Sequence, residues 1–138
     1  MSGYIFFNDR WFGFDDALYS AARLIEILSK DIRSNAEIFA EFPDSINTPE
    51  LNIELEEGES VIFMERLFAE ASFTEGKITA IDGMRVDFSN GWGLVRASST
   101  TPSLVICFGA DSKEALLGIQ GQFKQLINKI KPDMVLLF

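Results

Sequence analysis

Two tight-turn signals, Asp82-Gly83 and Ser89-Asn90-Gly91, separate three strand-like runs at residues 77–81, 84–88 and 91–97. Gly and Asn accept the positive φ that short hairpin loops require, so these runs are expected to fold back on one another as an antiparallel meander. A fourth run at 104–108 follows the hydroxyl-rich stretch 98–103. A helix is expected from Asp111 onward. Asp111 and Glu114 have capping-box spacing, and Ala115, Leu116, Ile119, Phe123, Leu126, Ile127 and Ile130 form one apolar stripe that ends before Pro132.

Upstream of the meander, residues 50–56 alternate Leu51, Ile53 and Leu55 with polar neighbours, as in a strand buried on one side. A helix is expected over 59–72, from Ile62, Phe63, Leu67 and Ala71. Strands that alternate leave one apolar face, and two helices are available to cover it. The expected fold class is therefore α+β: a two-layer domain over residues 50–138, with a mainly antiparallel four-stranded sheet covered by two helices. The two prolines of Phe42-Pro43-Asp44-Ser45-Ile46-Asn47-Thr48-Pro49 mark residues 41–49 as a linker. Residues 1–40 read as part of another unit: a short buried strand at 4–7, a helix with Asp15 as candidate N-cap and Leu18, Ala21, Ala22, Ile25 and Leu28 at helical spacing, and a short helix at 34–39. Trp11 and Phe14 read as core, and Asp15 and Asp16 as helix caps.

The 138 residues include no histidine and a single cysteine, Cys107. A self-contained catalytic triad, a zinc site and an internal disulfide framework are all disfavoured, and a reduced, cytoplasmic protein is the expected setting. No apolar run approaches the length of a membrane span. The net charge of −9 is unevenly spread: residues 1–70 hold 15 acidic and 5 basic side chains, and residues 71–138 hold 6 and 7. An anion is better received in the second half, whereas an extended basic face for nucleic acid is missing.

The best place for an anion is Arg96-Ala97-Ser98-Ser99-Thr100-Thr101-Pro102, between the third and fourth runs. An arginine offers a planar fork of donors matched to phosphate, and hydroxyls with successive backbone N–H groups can complete the cradle. Serine- and threonine-rich turns are common in proteins that bind nothing, so the chemistry suggests a site without specifying one.

The run from Asp82 to Phe88, with Gly91-Trp92-Gly93-Leu94-Val95-Arg96 and the hydroxyl loop after it, closely resembles the C-terminal domain of the α-D-phosphohexomutases, in their bacterial phosphomannomutase/phosphoglucomutase branch. Met1-Ser2-Gly3-Tyr4, Phe6-Phe7 and the stretch from Arg10 to Asp16 resemble the sugar-recognition loop and following helix of the family's third domain. Thr48-Pro49-Glu50 resembles the opening of the fourth. The resemblance implies a TATA-box-binding-protein-like C-terminal domain and a remnant of the preceding α/β domain. It also implies a parent isomerase that interconverts hexose 1- and 6-phosphates through a bisphosphate, with the phosphoserine nucleophile and a magnesium loop in the parent's earlier domains. On that reading Arg96, Ser98, Ser99, Thr100 and Thr101 bind the phosphate that is not transferred, and Ser2 and Tyr4 fall on the sugar loop. No catalytic residue and no metal ligand is expected in this chain. The expected partners are a mannose or glucose phosphate and the remaining domains of the parent, with no nucleic acid and no membrane.

The sequence departs from the family pattern in places. Its sugar loop starts after the family's Gly-Glu, Tyr4 stands where histidine is usual, and Ser99 where asparagine is common. Cys107 and Gly109 replace charged residues. A chain that begins inside a motif is expected to be a piece of a longer protein, inactive alone. The rival functions are a stand-alone phospho-ligand-binding module and, behind it, a nucleic-acid binder using the open sheet face.

Overall fold

A computed structural model describes residues 4–42, 44–136 and 138. The chain divides into two compact units, Met1–Pro43 and Asp44–Phe138.

In the first unit, helix α1 spans Ala17–Lys30 and helix α2 spans Asn35–Phe39. Asp16 is the N-cap of α1, its carboxylate accepting from Tyr19 N at 2.9 Å. Asp15, expected in that role, instead accepts from Ile5 N at 3.3 Å. Ser34 caps α2 through a reciprocal capping box with Glu37. Residues 4–7 were expected as a buried strand, but only Phe6 forms a bridge, to Asp15, and Tyr4, Ile5 and Phe6 are all exposed. A strand needs a partner along its length, and a two-residue contact with a helix entry supplies none. The apolar stripe of α1 is likewise exposed at Leu18 and Ile25, and Phe14 is exposed too, against its expected core position. Trp11 stacks on Tyr19 with ring centroids 4.3 Å apart.

The second unit has the expected α+β class. Its strands are β1 (Ile46–Asn47), β2 (Leu51–Glu54), β3 (Lys77–Thr79), β4 (Met84–Phe88), β5 (Gly91–Ala97) and β6 (Ser103–Ala110), with helices α3 (Glu59–Glu70) and α4 (Lys113–Ile130). All pairings are antiparallel, in the order β1-β6-β5-β4-β3, with β2 also on β6. The sheet has six strands where four were expected: β2 and β1 follow one another along the edge of β6 away from β5, and β1 comes from the stretch read as a linker. Ile46 and Asn47 pair with Ala110 and Gly109, and Leu51 resumes opposite Ile106. Three residues of this edge therefore face two of β6, a bulge that accommodates Pro49, which has no N–H to give.

Every second residue of the central strands enters one core. Met84, Val86, Val95, Leu104, Ile106 and Phe108 are fully buried and pack with Phe63 and Leu67 of α3 and Ile119, Phe123 and Ile127 of α4. Both helices thus cover the same sheet face. The cap of α4 differs from expectation: Ser112 Oγ accepts from Ala115 N at 3.1 Å, while Asp111 N donates to Asn90 O at 3.0 Å. Its backbone bond to the β4–β5 turn holds Asp111 at the sheet, which moves the cap one residue on.

Candidate functional site

The alternation of β5 decides where Arg96 goes. Val95 is fully buried beneath the helices, so Arg96 projects from the opposite face, on the side of Trp92 and Leu94. Its side chain is about one-third exposed, at 35%. It is the one cation between residues 86 and 112.

Residues 98–102 join β5 to β6 and close by their own backbone: Ser98 N donates to Ser103 O, and Ser103 N to Thr101 O, each at 2.8 Å. Inside this turn the hydroxyls form a chain. Thr101 Oγ1 donates to Ser98 Oγ at 2.9 Å and lies 2.9 Å from Ser103 Oγ, whose proton is the one left to fill that contact. The backbone N–H groups of Thr100 and Thr101 converge on Ser98 Oγ, at 3.4 and 3.3 Å. Two successive amides aimed at one oxygen are the kind of arrangement that can receive an anion. Ser99, Thr100 and Thr101 are exposed at the tip, and Ser103 is buried at its base.

The β3–β4 turn completes the surroundings. The pairing of Met84 with Val95 places Gly83 beside Arg96. Gly83 has φ +94°, and a β-carbon there would stand 2.5 Å from both Arg96 Cβ and Val95 O. Only glycine lets the turn come so close. Next to it, Asp82 Oδ2 lies 3.7 Å from Arg96 Nη1.

Arg96, Ser98, Ser99, Thr100 and Thr101 therefore lie on one strand end and one turn, as expected. Ser2 lies outside the described residues. Tyr4 is exposed and belongs to the first unit. Sequence reasoning missed Asp82 and Gly83 as neighbours of the loop; the signal available was the Asp82-Gly83 hairpin, whose register with β5 places it there. Arg85 and Asp87, on the polar face of β4, pair at 2.7 Å, with Arg85 over the Trp92 ring. A cavity of about 500 Å³ at the start of α4 is lined by Asn90, Ser112, Gln122, Glu75 and Glu114 and includes no cation. Among the described residues no group of three or more His, Cys, Asp or Glu side chains is arranged to hold a metal ion. None of the described helices is long and apolar enough to cross a membrane.

Residues 50–126 match the phosphoglucomutase/phosphomannomutase C-terminal domain family. The chain is 49% identical over 134 residues to a phosphomannomutase/phosphoglucomutase of Pseudomonas aeruginosa, covering 97% of this chain and 29% of that protein. It is 52% identical over 130 residues to a phosphoglucomutase of Neisseria gonorrhoeae, covering 92% of this chain and 28% of that protein. A crystal structure of a phosphoglucomutase/phosphomannomutase family protein from Burkholderia thailandensis superposes with a TM-score of 0.87 at 41% identity, covering all of this chain and 29% of that one. The chain thus spans less than one-third of the length of these relatives. Its meander, its helix pair and the family match across them identify it as a member of the phosphoglucomutase/phosphomannomutase family that carries the family's C-terminal domain.

Proposed function

We propose that this chain is the C-terminal part of a cytoplasmic phosphomannomutase/phosphoglucomutase, and that residues 96–101 bind the phosphate of a hexose phosphate that is not being transferred. In the reaction of such a parent, an intramolecular phosphotransfer between the 1- and 6-positions, the intermediate turns over in the cleft so that each phosphate is held in turn. A clamp that recognises only phosphate, and not the sugar carbon bearing it, serves both orientations. The domain would close over the substrate and shield the phosphoryl transfer from water. The nucleophile and the magnesium ion would belong to other domains of the parent, and the isolated chain would not turn substrate over. The remaining domains of the parent and a mannose or glucose phosphate are its partners.

The observation that supports this reading is that Arg96 ends β5 immediately before a turn in which two backbone N–H groups and the hydroxyls of Ser98, Thr100 and Thr101 cluster. Each charge-assisted hydrogen bond contributes about 1.5–3 kcal/mol, so a clamp separated from the rest of its cleft binds weakly, at millimolar ligand. The test follows the amide NMR signals of the chain during titration with mannose 1-phosphate and glucose 6-phosphate. Saturable shifts confined to residues 96–101, lost in Arg96→Ala, are expected. Signals that stay still, or an Arg96→Ala variant that responds like the parent sequence, would overturn the assignment.

A further inference from the structure

We propose that Asp82 competes with phosphate for the clamp: its carboxylate occupies the Arg96 guanidinium while the site is empty and gives it up to an incoming phosphate. This rests on the reading of residues 96–101 as a phosphate clamp and adds a residue from a different turn.

The register of β4 with β5 brings Gly83 beside Arg96, and the missing side chain of Gly83 lets the turn lie against the stem of the arginine. The carboxylate of Asp82 is thereby carried to the guanidinium. Its Oδ2–Nη1 separation of 3.7 Å is a charge contact, longer than the 2.7–3.2 Å of a direct hydrogen bond. The carboxylate is 83% exposed and the Arg96 side chain only 35%, so Asp82 stands on the water side of the pair and can leave without unpacking anything. An exposed ion pair is weak, which suits a contact that must yield.

The loop repeats the arrangement. Ser98 Oγ occupies the point on which the Thr100 and Thr101 N–H groups converge. Both halves of the anion site are thus satisfied by an internal oxygen, a carboxylate oxygen on the guanidinium and a hydroxyl oxygen on the amides. A phosphate entering the site takes over the first and shares the second. Asp82 therefore competes with the ligand for the guanidinium, and a dianion displaces it more readily than a monoanion does.

The test titrates inorganic phosphate into the full chain and into Asp82→Asn, Asp82→Glu and the double variant Asp82→Asn/Arg96→Ala, following the amide signals of residues 98–101 at low and high ionic strength. Asp82→Asn should bind about two- to fivefold tighter, by the range measured for exposed ion pairs, and the gain should shrink as salt is raised. Asp82→Glu should return toward the original affinity, and Ala at position 96 should abolish the gain. Unchanged or weaker binding in Asp82→Asn, with binding by the original sequence intact, would overturn the role of Asp82 and leave the clamp standing. A gain that ignores salt would do the same, whereas binding that persists without Arg96 would overturn the clamp as well. No response in the original sequence would overturn both.

Discussion

Gly93 of β5 lies against the ring of Phe123 in α4, so close that a β-carbon on the glycine would come 2.4 Å from Phe123 Cε2 and 2.7 Å from Cζ. Phe123 is fully buried and meets Phe108 edge-on at 5.3 Å and Phe73 at 4.8 Å. This contact sets how near the long helix approaches the sheet. Gly93→Ala is expected to overpack the core and cost about 1–3 kcal/mol of stability, read from urea unfolding of the chain. Phe123→Leu added to Gly93→Ala should recover part of that loss, because the smaller side chain vacates the contact. A Gly93→Ala variant as stable as the parent sequence would show that the helix shifts without penalty.

Thr48 bridges the bulge at the edge of β6. Its N–H donates to Phe108 O at 2.9 Å, and its hydroxyl accepts from Phe108 N at 3.0 Å, replacing the backbone carbonyl that a regular ladder would supply. Thr48→Val keeps the shape and removes the acceptor, leaving the N–H of a fully buried residue without its partner. A cost of about 1–3 kcal/mol is expected, together with faster amide exchange at Phe108. Thr48→Ser should restore both.

That bridge also shows where sequence reading stops. β4 and β5 were legible to the residue because their boundaries are local chemistry, glycine and asparagine turns between alternating runs. The stripe of α4 was legible for the same reason, although its cap moved from Asp111 to Ser112 once the Asn90 carbonyl claimed the Asp111 N–H. β1 was hidden, since two prolines within eight residues say linker, and only the distant partner Ala110 makes Ile46 a strand residue. The failed strand at residues 4–7 is the converse: local propensity without a partner. At the candidate site the loop from Arg96 to Thr101 was visible as a motif, but the approach of Asp82 depends on the pairing of Met84 with Val95, which no short stretch encodes.

Acid should weaken the link between the two helices of the second unit. Glu70 accepts from Lys129 at 2.5 Å and Glu59 pairs with Lys131, so α3 is tied to the end of α4 at two points. The hydrogen bond from each lysine, with the ammonium charge beside it, holds both carboxyls below the ordinary value of 4.5. A carboxylate lowered in the folded state contributes stability that is present above its unfolded value and is lost as pH falls through the folded one. The contribution should therefore be intact at neutral pH and decline below about 4.5. Because these pairs are exposed, the effect is small. The double variant Glu59→Gln/Glu70→Gln should lose less of its urea midpoint than the parent sequence between neutral pH and mild acid; an equal loss would place the acid sensitivity elsewhere.

Cys107 offers a probe of the sheet itself. It sits opposite Leu94 on β6, a strand paired on both sides, is only 6% exposed, and burial pushes its thiol up from the ordinary value of 9.0. The thiolate is the reactive form, so a raised pKa and a closed strand act in the same direction. Ellman's reagent should modify the native chain far more slowly than the unfolded one, and the labelling rate should climb with urea along the same transition as the loss of circular dichroism. Glu114→Gln, on the exposed start of α4, should leave this coincidence intact. The Thr48→Val variant should advance it, because the β1 edge flanking β6 is then weaker. Labelling of the native chain at the rate of a free thiol would mean that the strand pairs around Cys107 open independently of the rest of the sheet.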